Sequence, residues 1–273
     1  MKLCWALLTL AFAVCVHASS WRAYYGLSTS AYQAKFDEMV DQGYQLNSVD
    51  GYEKNKEPAF AVIFEKRPTI AWRSHSGMTS EQYHQRFTEY LDQGYHVVQV
   101  NGYNVKGKEY YAAIWDKGPV GPWISRHGMS AEWMQKYFDE YVEAGYQMIH
   151  VSGYEAKHEA RYAAVWEKKD DQTEWVSRGN LTALQYQTTF DEYVQKGYRL
   201  VQVSGYQVDG DVYYSAVFDK TASGPWVARH ALDSPTFQAE FDKYKSQGYV
   251  LRTLSSYNDG NEPRFAGIWV KPT

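Results

Sequence analysis

Beyond its first twenty residues this 273-residue chain contains no cysteine: both, Cys4 and Cys15, lie close to the N-terminus. Disulfides, zinc-thiolate sites and a cysteine nucleophile are therefore excluded from the rest of the chain. Small extracellular domains often rely on disulfides, so a chain without them must be stabilised by burial, and about 250 residues suffice for a substantial core. Long apolar runs are equally scarce. The one at Leu3–Val16, between the positive start Met1-Lys2 and the small-residue stretch Ala18-Ser19-Ser20, is shorter than the roughly 20 residues a membrane helix needs. Its layout is that of a secretory signal peptide over residues 1–20, which predicts a secreted, extracellular protein with no membrane span. Charge of one sign is also lacking. The net charge is −4 with both signs interspersed, which gives no basic patch of the kind that binds nucleic acid.

Aromatic residues, in contrast, are abundant, at 17% of the chain with 25 Tyr and 10 Trp. They recur with a period. Tryptophans stand at Trp21, Trp72, Trp123, Trp175 and Trp226, separated by 51, 51, 52 and 51 residues. Phe36, Phe87, Phe138, Phe190 and Phe241 follow each by 15 residues, and a Gly-Tyr pair follows by 22, from Gly43-Tyr44 to Gly248-Tyr249. A second tyrosine (Tyr52, Tyr103, Tyr154, Tyr206, Tyr257) and a terminal aromatic with a lysine two residues on (Trp115 and Lys117, Trp166 and Lys168) complete the pattern. The chain is thus a signal segment followed by a single repeat domain, 21–273, with units 21–71, 72–122, 123–174, 175–225 and 226–273.

Each unit reads as β-α-β-β. A short strand opens it (Trp123–Arg126). Ser28, Thr79, Ser130, Thr182 and Asp233 are side chains that cap a helix N-terminus by accepting a free backbone N–H. Gln82 and Gln185 stand three residues later, as a capping box requires. Tyr83, Phe87, Tyr90 and Leu91, like Tyr186, Phe190, Tyr193 and Val194, are expected on the buried helix face. The recurring glycine ends the helix. Two strands follow, such as Val97–Val100 ending at Gly102-Tyr103 and Tyr110–Trp115, joined by a polar turn at 105–108. One helix on one hairpin cannot bury its apolar face, so neighbouring units must share a core. The period leaves an arc or a closed array open. The expectation is an α+β fold, five units sharing one core as a closed ring or barrel-like array of antiparallel hairpins with helices outside.

The run Trp123-x-x-Arg126-His127-Gly128-Met129-Ser130, then Tyr137-Phe138-Asp139-Glu140-Tyr141-Val142-x-x-Gly145-Tyr146, Val151–Tyr154 and Arg161–Lys168 resembles the bacterial tandem repeat domain. That family forms the N-terminal region of secreted fungal polyglycine hydrolases, whose chemistry lies in a C-terminal serine β-lactamase-like domain. The resemblance covers all of 21–273 and implies a recognition module. The β-lactamase-like nucleophile motif is Ser-x-x-Lys, and no serine here has a lysine three residues on. The chain also reaches Thr273 directly after the fifth repeat, so the hydrolase activity is not expected of it.

Candidate chemistry is thin. Arg126-His127 and Arg229-His230 occupy one place in two units, with His75 and Arg178 at the arginine position in two others. Each lies before a helix N-terminus. They are candidate ligand contacts for an anion or glycan, against the alternative that they stack on the repeat aromatics. Asp37-Glu38, Asp139-Glu140 and Asp191-Glu192 recur at one helical position. A catalytic carboxylate pair needs two unlike environments, so these are expected to face solvent. No metal-ligand spacing is present, and Asp209-Gly210-Asp211 reads as a hairpin turn. Asn180-Leu181-Thr182 is an N-glycosylation acceptor. The reading is a secreted, non-catalytic, cofactor-free repeat protein that binds an extracellular glycan, peptide or matrix component or serves as a structural matrix protein. A hydrolase with an unfamiliar site, or an inhibitor of a related hydrolase, is the alternative.

Overall fold

The computed structural model describes residues 20–68, 70–169 and 172–272. The expected signal segment and both cysteines fall outside the described residues, except for Ser20. Unit one comprises β1 (Trp21–Ser28), α1 (Thr29–Asp41), β2 (Gln45–Lys54) and β3 (Glu57–Glu65). Unit two comprises β4 (Trp72–Met78), α2 (Ser80–Asp92), β5 (His96–Val105) and β6 (Lys108–Asp116). Unit three comprises β7 (Trp123–Met129), α3 (Ala131–Glu143), β8 (Gln147–Ala156) and β9 (Glu159–Glu167). Unit four comprises β10 (Trp175–Thr182), α4 (Ala183–Gln195), β11 (Arg199–Val208) and β12 (Asp211–Asp219). Unit five comprises β13 (Trp226–Leu232), α5 (Ser234–Ser246), β14 (Val250–Asp259) and β15 (Glu262–Val270).

The local signals act as the sequence predicts. All five cap side chains accept an N–H three residues on, those of Ala31, Gln82, Trp133, Gln185 and Thr236. Both glutamines reach back to complete capping boxes. At the other end Gly94 has φ 79°. Its N–H donates to Leu91 O at 2.9 Å, and Tyr95 N–H donates to Tyr90 O at 2.9 Å. This double bond is the Schellman arrangement, open to glycine because it lacks the Cβ that strains a left-handed residue. It recurs in every unit. The lysine that closes each unit lies over the tyrosine that follows the helix, with Lys117 Nζ 4.6 Å from the Tyr95 ring centre and Lys66 4.9 Å from that of Tyr44.

Two expectations need correction. Leu91 and Val194 are exposed, at 47% and 38%, while Tyr83, Tyr90, Tyr186 and Tyr193 are buried. Eight residues at 100° each place Leu91 about 80° from Tyr83, at the margin of the face. The first hairpin strands do not end at Gly-Tyr either: β5 runs on to Val105 and turns at Lys106-Gly107, with φ 54° and 77°. Positive φ at both turn residues matches the twist of a tight hairpin.

In each sheet the third strand is central, as in β1-β3-β2, and all pairings are antiparallel. Among the described residues the five three-stranded sheets remain separate, with no hydrogen-bonded ladder joining one to the next. The units meet by packing. β2 lies against β5, β5 against β8, β8 against β11, β11 against β14, and β14 against β2. Every core cluster spans two units, including one that joins Trp21, Tyr52 and Ile63 to Phe237, Leu251 and Trp269. The columns that define the repeat are these contacts. The phenylalanine of one helix meets the opening tryptophan of the next unit, from Phe36 on Trp72 at 5.6 Å to Phe190 on Trp226 at 5.9 Å, and Phe241 meets Trp21 at 5.6 Å. Such tilted and edge-to-face pairs add about 0.5–1.5 kcal/mol each beyond burial. Among the described residues no helix is long and apolar enough to cross a membrane.

Candidate functional site

The second hairpin tyrosine packs on the preceding unit. Tyr154 lies so close to Gly102 that a Cβ there would sit 2.3 Å from its ring, and Tyr206 and Tyr257 press on Gly153 and Gly205 in the same way. The glycine before Tyr52, Tyr103, Tyr154 and Tyr206 is thus a matter of close approach by the next unit's tyrosine rather than of φ. One residue earlier stands a polar column: Asp50, Asn101, Ser152, Ser204 and Ser255, all buried. Its side chains accept N–H groups from the preceding unit. Gly51 N–H donates to Asn101 at 2.8 Å, Gly102 to Ser152 at 3.1 Å, Gly153 to Ser204 at 3.0 Å and Gly205 to Ser255 at 3.0 Å. The fifth unit's Ser256 N–H donates to Asp50, whose other oxygen accepts from the Asn101 amide. A second column runs beside it. Gln99 accepts from Val49 N–H at 2.9 Å, and His150 Nε2 lies 2.9 Å from Val100 O, with its Nδ1 3.1 Å from Gln202.

Above the first column opens a cavity of about 370 Å³ to which all five units contribute. Its floor holds Asp50 and Asn101, and its rim holds Glu53, Asn104, Lys106, Glu155, His158, Gln207, Asn258 and Asn261 from the hairpin ends. Burial pushes the Asp50 carboxyl up to about 7, opposed by the hydrogen bonds from Ser256. Burial pushes His150 down to about 4. On the rim, Lys106 pairs with Glu57 at 2.6 Å. The His158 and Asp209 side chains meet at 2.6 Å, which raises the His158 pKa. Glu155, His158 and Asp209 bring their ligand atoms within 4.8 Å of one another. Sequence spacing missed this metal-capable group because it joins two units, with residues 51 positions apart. Asp209-Gly210 is itself a hairpin turn, with φ 49° and 91°.

The basic residues singled out from the sequence stand elsewhere, on the opening strands. Each first-position group lies on its own helix's tyrosine. Arg126 Nε donates to Tyr141 Oη at 3.0 Å, Arg178 to Tyr193 at 2.5 Å, and Arg229 lies 5.6 Å from the Tyr244 ring centre. His75 stacks on Tyr90 at 5.7 Å, with Nε2 2.5 Å from its hydroxyl. The second-position histidines insert between units. His127 meets Tyr83 at 4.6 Å and Tyr111 at 5.1 Å, and His230 meets Tyr186 at 4.8 Å. Burial lowers the pKa of His127 to about 4 and lowers those of His75 and His230. The structure does not bring these six residues together. Asn180 is exposed, in the left-handed conformation at φ 54°. The six helix carboxylates at 37–38, 139–140 and 191–192 are all exposed.

The polyglycine hydrolase-like structural repeat model matches residues 18–67, 69–118, 120–169, 172–221 and 223–272, in phase with the five β-α-β-β units. The chain belongs to the polyglycine hydrolase-like structural repeat family. In this member of the family the repeat columns are accounted for by capping, helix termination and packing between units. The polar column differs chemically between units, carrying a carboxylate, an amide and three hydroxyls.

Proposed function

We propose that the five units form a closed ring, and that the ring is a secreted, non-catalytic recognition module whose ligand is a glycan seated in the cavity lined by all five. Closure rests on the contacts between the fifth and first units: Ser256 on Asp50, Arg252 on Glu65 at 2.8 Å, and Tyr25 Oη on Gln238 Oε1 at 2.9 Å. The cavity is the observation that carries the ligand reading. Its volume falls within the range of small-ligand sites, and its rim offers planar amides and carboxylates from every unit, the groups that exchange paired hydrogen bonds with sugar hydroxyls. The basic strand residues are assigned to support, since His75, Arg126, Arg178 and Arg229 lie on the tyrosines of their own helices and His127 and His230 insert between units. Secretion rests on the N-terminal segment, and the exposure of Asn180 favours its glycosylation; loss of mass on glycosidase treatment of protein from a eukaryotic host is the expected outcome.

A glycan array probed with the repeat array tests this. Binding is expected to weaken in Asn104→Ala and Asn261→Ala and to persist in Arg178→Ala. An array without signal, or binding indifferent to the rim variants, would sink the glycan reading and leave a peptide ligand or a structural matrix role. One observation favours a second reading, that of a hydrolase: Asp50, with its pKa near neutrality, lies on the cavity floor, where shifted carboxyls mark acid-base sites. Both its oxygens accept hydrogen bonds and it lacks an unlike partner carboxylate in the polar column, so the non-catalytic reading is preferred. Hydrolysis of any bound ligand that disappears in Asp50→Asn would reverse that preference.

A further inference from the structure

At the seam of units three and four, three metal-ligating side chains converge on the rim of the five-unit mouth. Glu155 stands near the end of β8, His158 in the turn after it, and Asp209 in the turn between β11 and β12. His158 Nδ1 lies 2.6 Å from Asp209 Oδ1, and one ligand atom from each of the three residues lies within 4.8 Å of the other two. The backbone holds the two turns together, since Glu155 Oε2 accepts the Asp209 N–H at 3.0 Å. That bond leaves the carboxylate with lone pairs for a further partner. The same bond recurs at the seam of units one and two, where Glu53 accepts the Lys106 N–H at 2.5 Å. There the positions of His158 and Asp209 hold Lys56 and Lys106, and the Lys106 ammonium pairs with Glu57 at 2.6 Å. The frame is shared, and the chemistry mounted on it differs: ammonium groups at one seam, an imidazole and a second carboxylate at the other. The remaining three seams carry asparagine, glutamine, glycine or lysine at these positions, with no histidine or carboxylate.

We infer that the seam of units three and four binds one divalent transition-metal ion, best matched by zinc, through His158 Nδ1 and the carboxylates of Glu155 and Asp209. One imidazole and two carboxylates are ligands that zinc accepts, whereas calcium takes six to eight oxygens. Zinc holds such ligands at about 2.0–2.2 Å, so that they stand about 3.4 Å apart in a tetrahedral array. The spacings here, from 2.6 Å up to 4.8 Å, bracket that value. The His158 and Asp209 side chains are 82% and 58% exposed, which gives them room to adjust. At the first seam lysine already supplies positive charge beside the carboxylates; at this one the ion supplies it. Three protein ligands leave a fourth position open. The site shares Glu155 and His158 with the rim of the mouth, yet it stands apart from the glycan reading, because zinc binding is measured without any glycan.

The test titrates zinc into the full repeat array, made without a histidine tag, by calorimetry and by NMR of the histidine side chains. One zinc per chain is expected, with the His158 ring nitrogens shifting more than those of the exposed His84. His158→Gly installs the residue of units two and four and suits the φ of 62°. Asp209→Lys installs the residue of unit two. Each is expected to weaken binding at least about tenfold, since even the loss of a partner outside the ligand set costs about 10–100-fold. Millimolar calcium is expected to leave zinc in place. No saturable binding up to millimolar zinc would reduce the cluster to an ion pair and overturn the proposal, as would binding that survives in His158→Gly or displacement by calcium. Both variants are expected to unfold thermally like the wild type in the absence of zinc. Where either is less stable, Glu155→Gln, which installs the amide that Gln207 presents, gives the same reading.

Discussion

Asp50 makes the stability of this protein depend on pH in an unusual direction. Its carboxyl ordinarily titrates at 3.8 and is held at about 7 in the folded state, chiefly by burial. The folded state therefore binds this proton more tightly than the unfolded chain. The stabilisation is complete below about pH 4 and is lost as pH rises to about 7. At about 1.4 kcal/mol per pH unit, the loss is about 4 kcal/mol, a large fraction of a typical total. His150 acts oppositely: its folded pKa, about 4, lies below the ordinary 6.5, so its contribution is present above pH 6.5 and lost on acidification. The two slopes oppose each other in the wild type, and a variant is needed to separate them. Asp50→Ser installs the hydroxyl that Ser152, Ser204 and Ser255 present at this position. Urea unfolding followed by tryptophan fluorescence from pH 4 to pH 8 is the assay. Whatever the offset at pH 4, the variant should gain about 4 kcal/mol on the wild type by pH 8. A difference that stays constant across that range would refute the assignment of a buried, proton-holding carboxyl.

Two further substitutions probe how the units pack. Gly102→Ala places a methyl 2.3 Å from the Tyr154 ring and is expected to cost about 1–3 kcal/mol or more, read as a fall in the urea midpoint; a neutral result would mean that Tyr154 can move aside freely. Trp115→Phe is expected to change stability by less than about 1 kcal/mol, although Trp115 is 1% exposed, because its indole N–H is buried without a partner and Phe64 and Phe218 fill the same place in other units. Removing an unpaired donor recovers about 1–3 kcal/mol, which offsets the lost ring volume; a loss of 3 kcal/mol or more, the usual cost of a large cavity, would show that the offset is absent.

The helices were legible because their signals are local. A cap and its N–H acceptance span four residues, and the Schellman glycine's contacts span six, so Thr79, Gln82 and Gly94 could each be assigned a cause from sequence. Leu91 failed at the edge of the helix face, where 80° of rotation separates burial from exposure. Gly102-Tyr103 resembles a strand end in sequence because the local chemistry of glycine suggests a break; its cause is the Tyr154 ring of the following unit. The mouth was not legible as a site, since its residues recur about 51 positions apart and none is functional alone. A signal for it existed in the polar column at 50, 101, 152, 204 and 255, each placed just before Gly-Tyr or its variant inside an apolar strand.

By itself the sequence determined the family, the number of units, the order of elements within each and the residues that begin and end every helix, because these depend on contacts between near neighbours in the chain. Only the tertiary structure decided that Phe241 meets Trp21 and that Asp50 receives the N–H of Ser256. Those facts depend on how much each unit turns relative to the last. That rotation is set by side chains packed across a seam, and it is invisible in the period of the repeat.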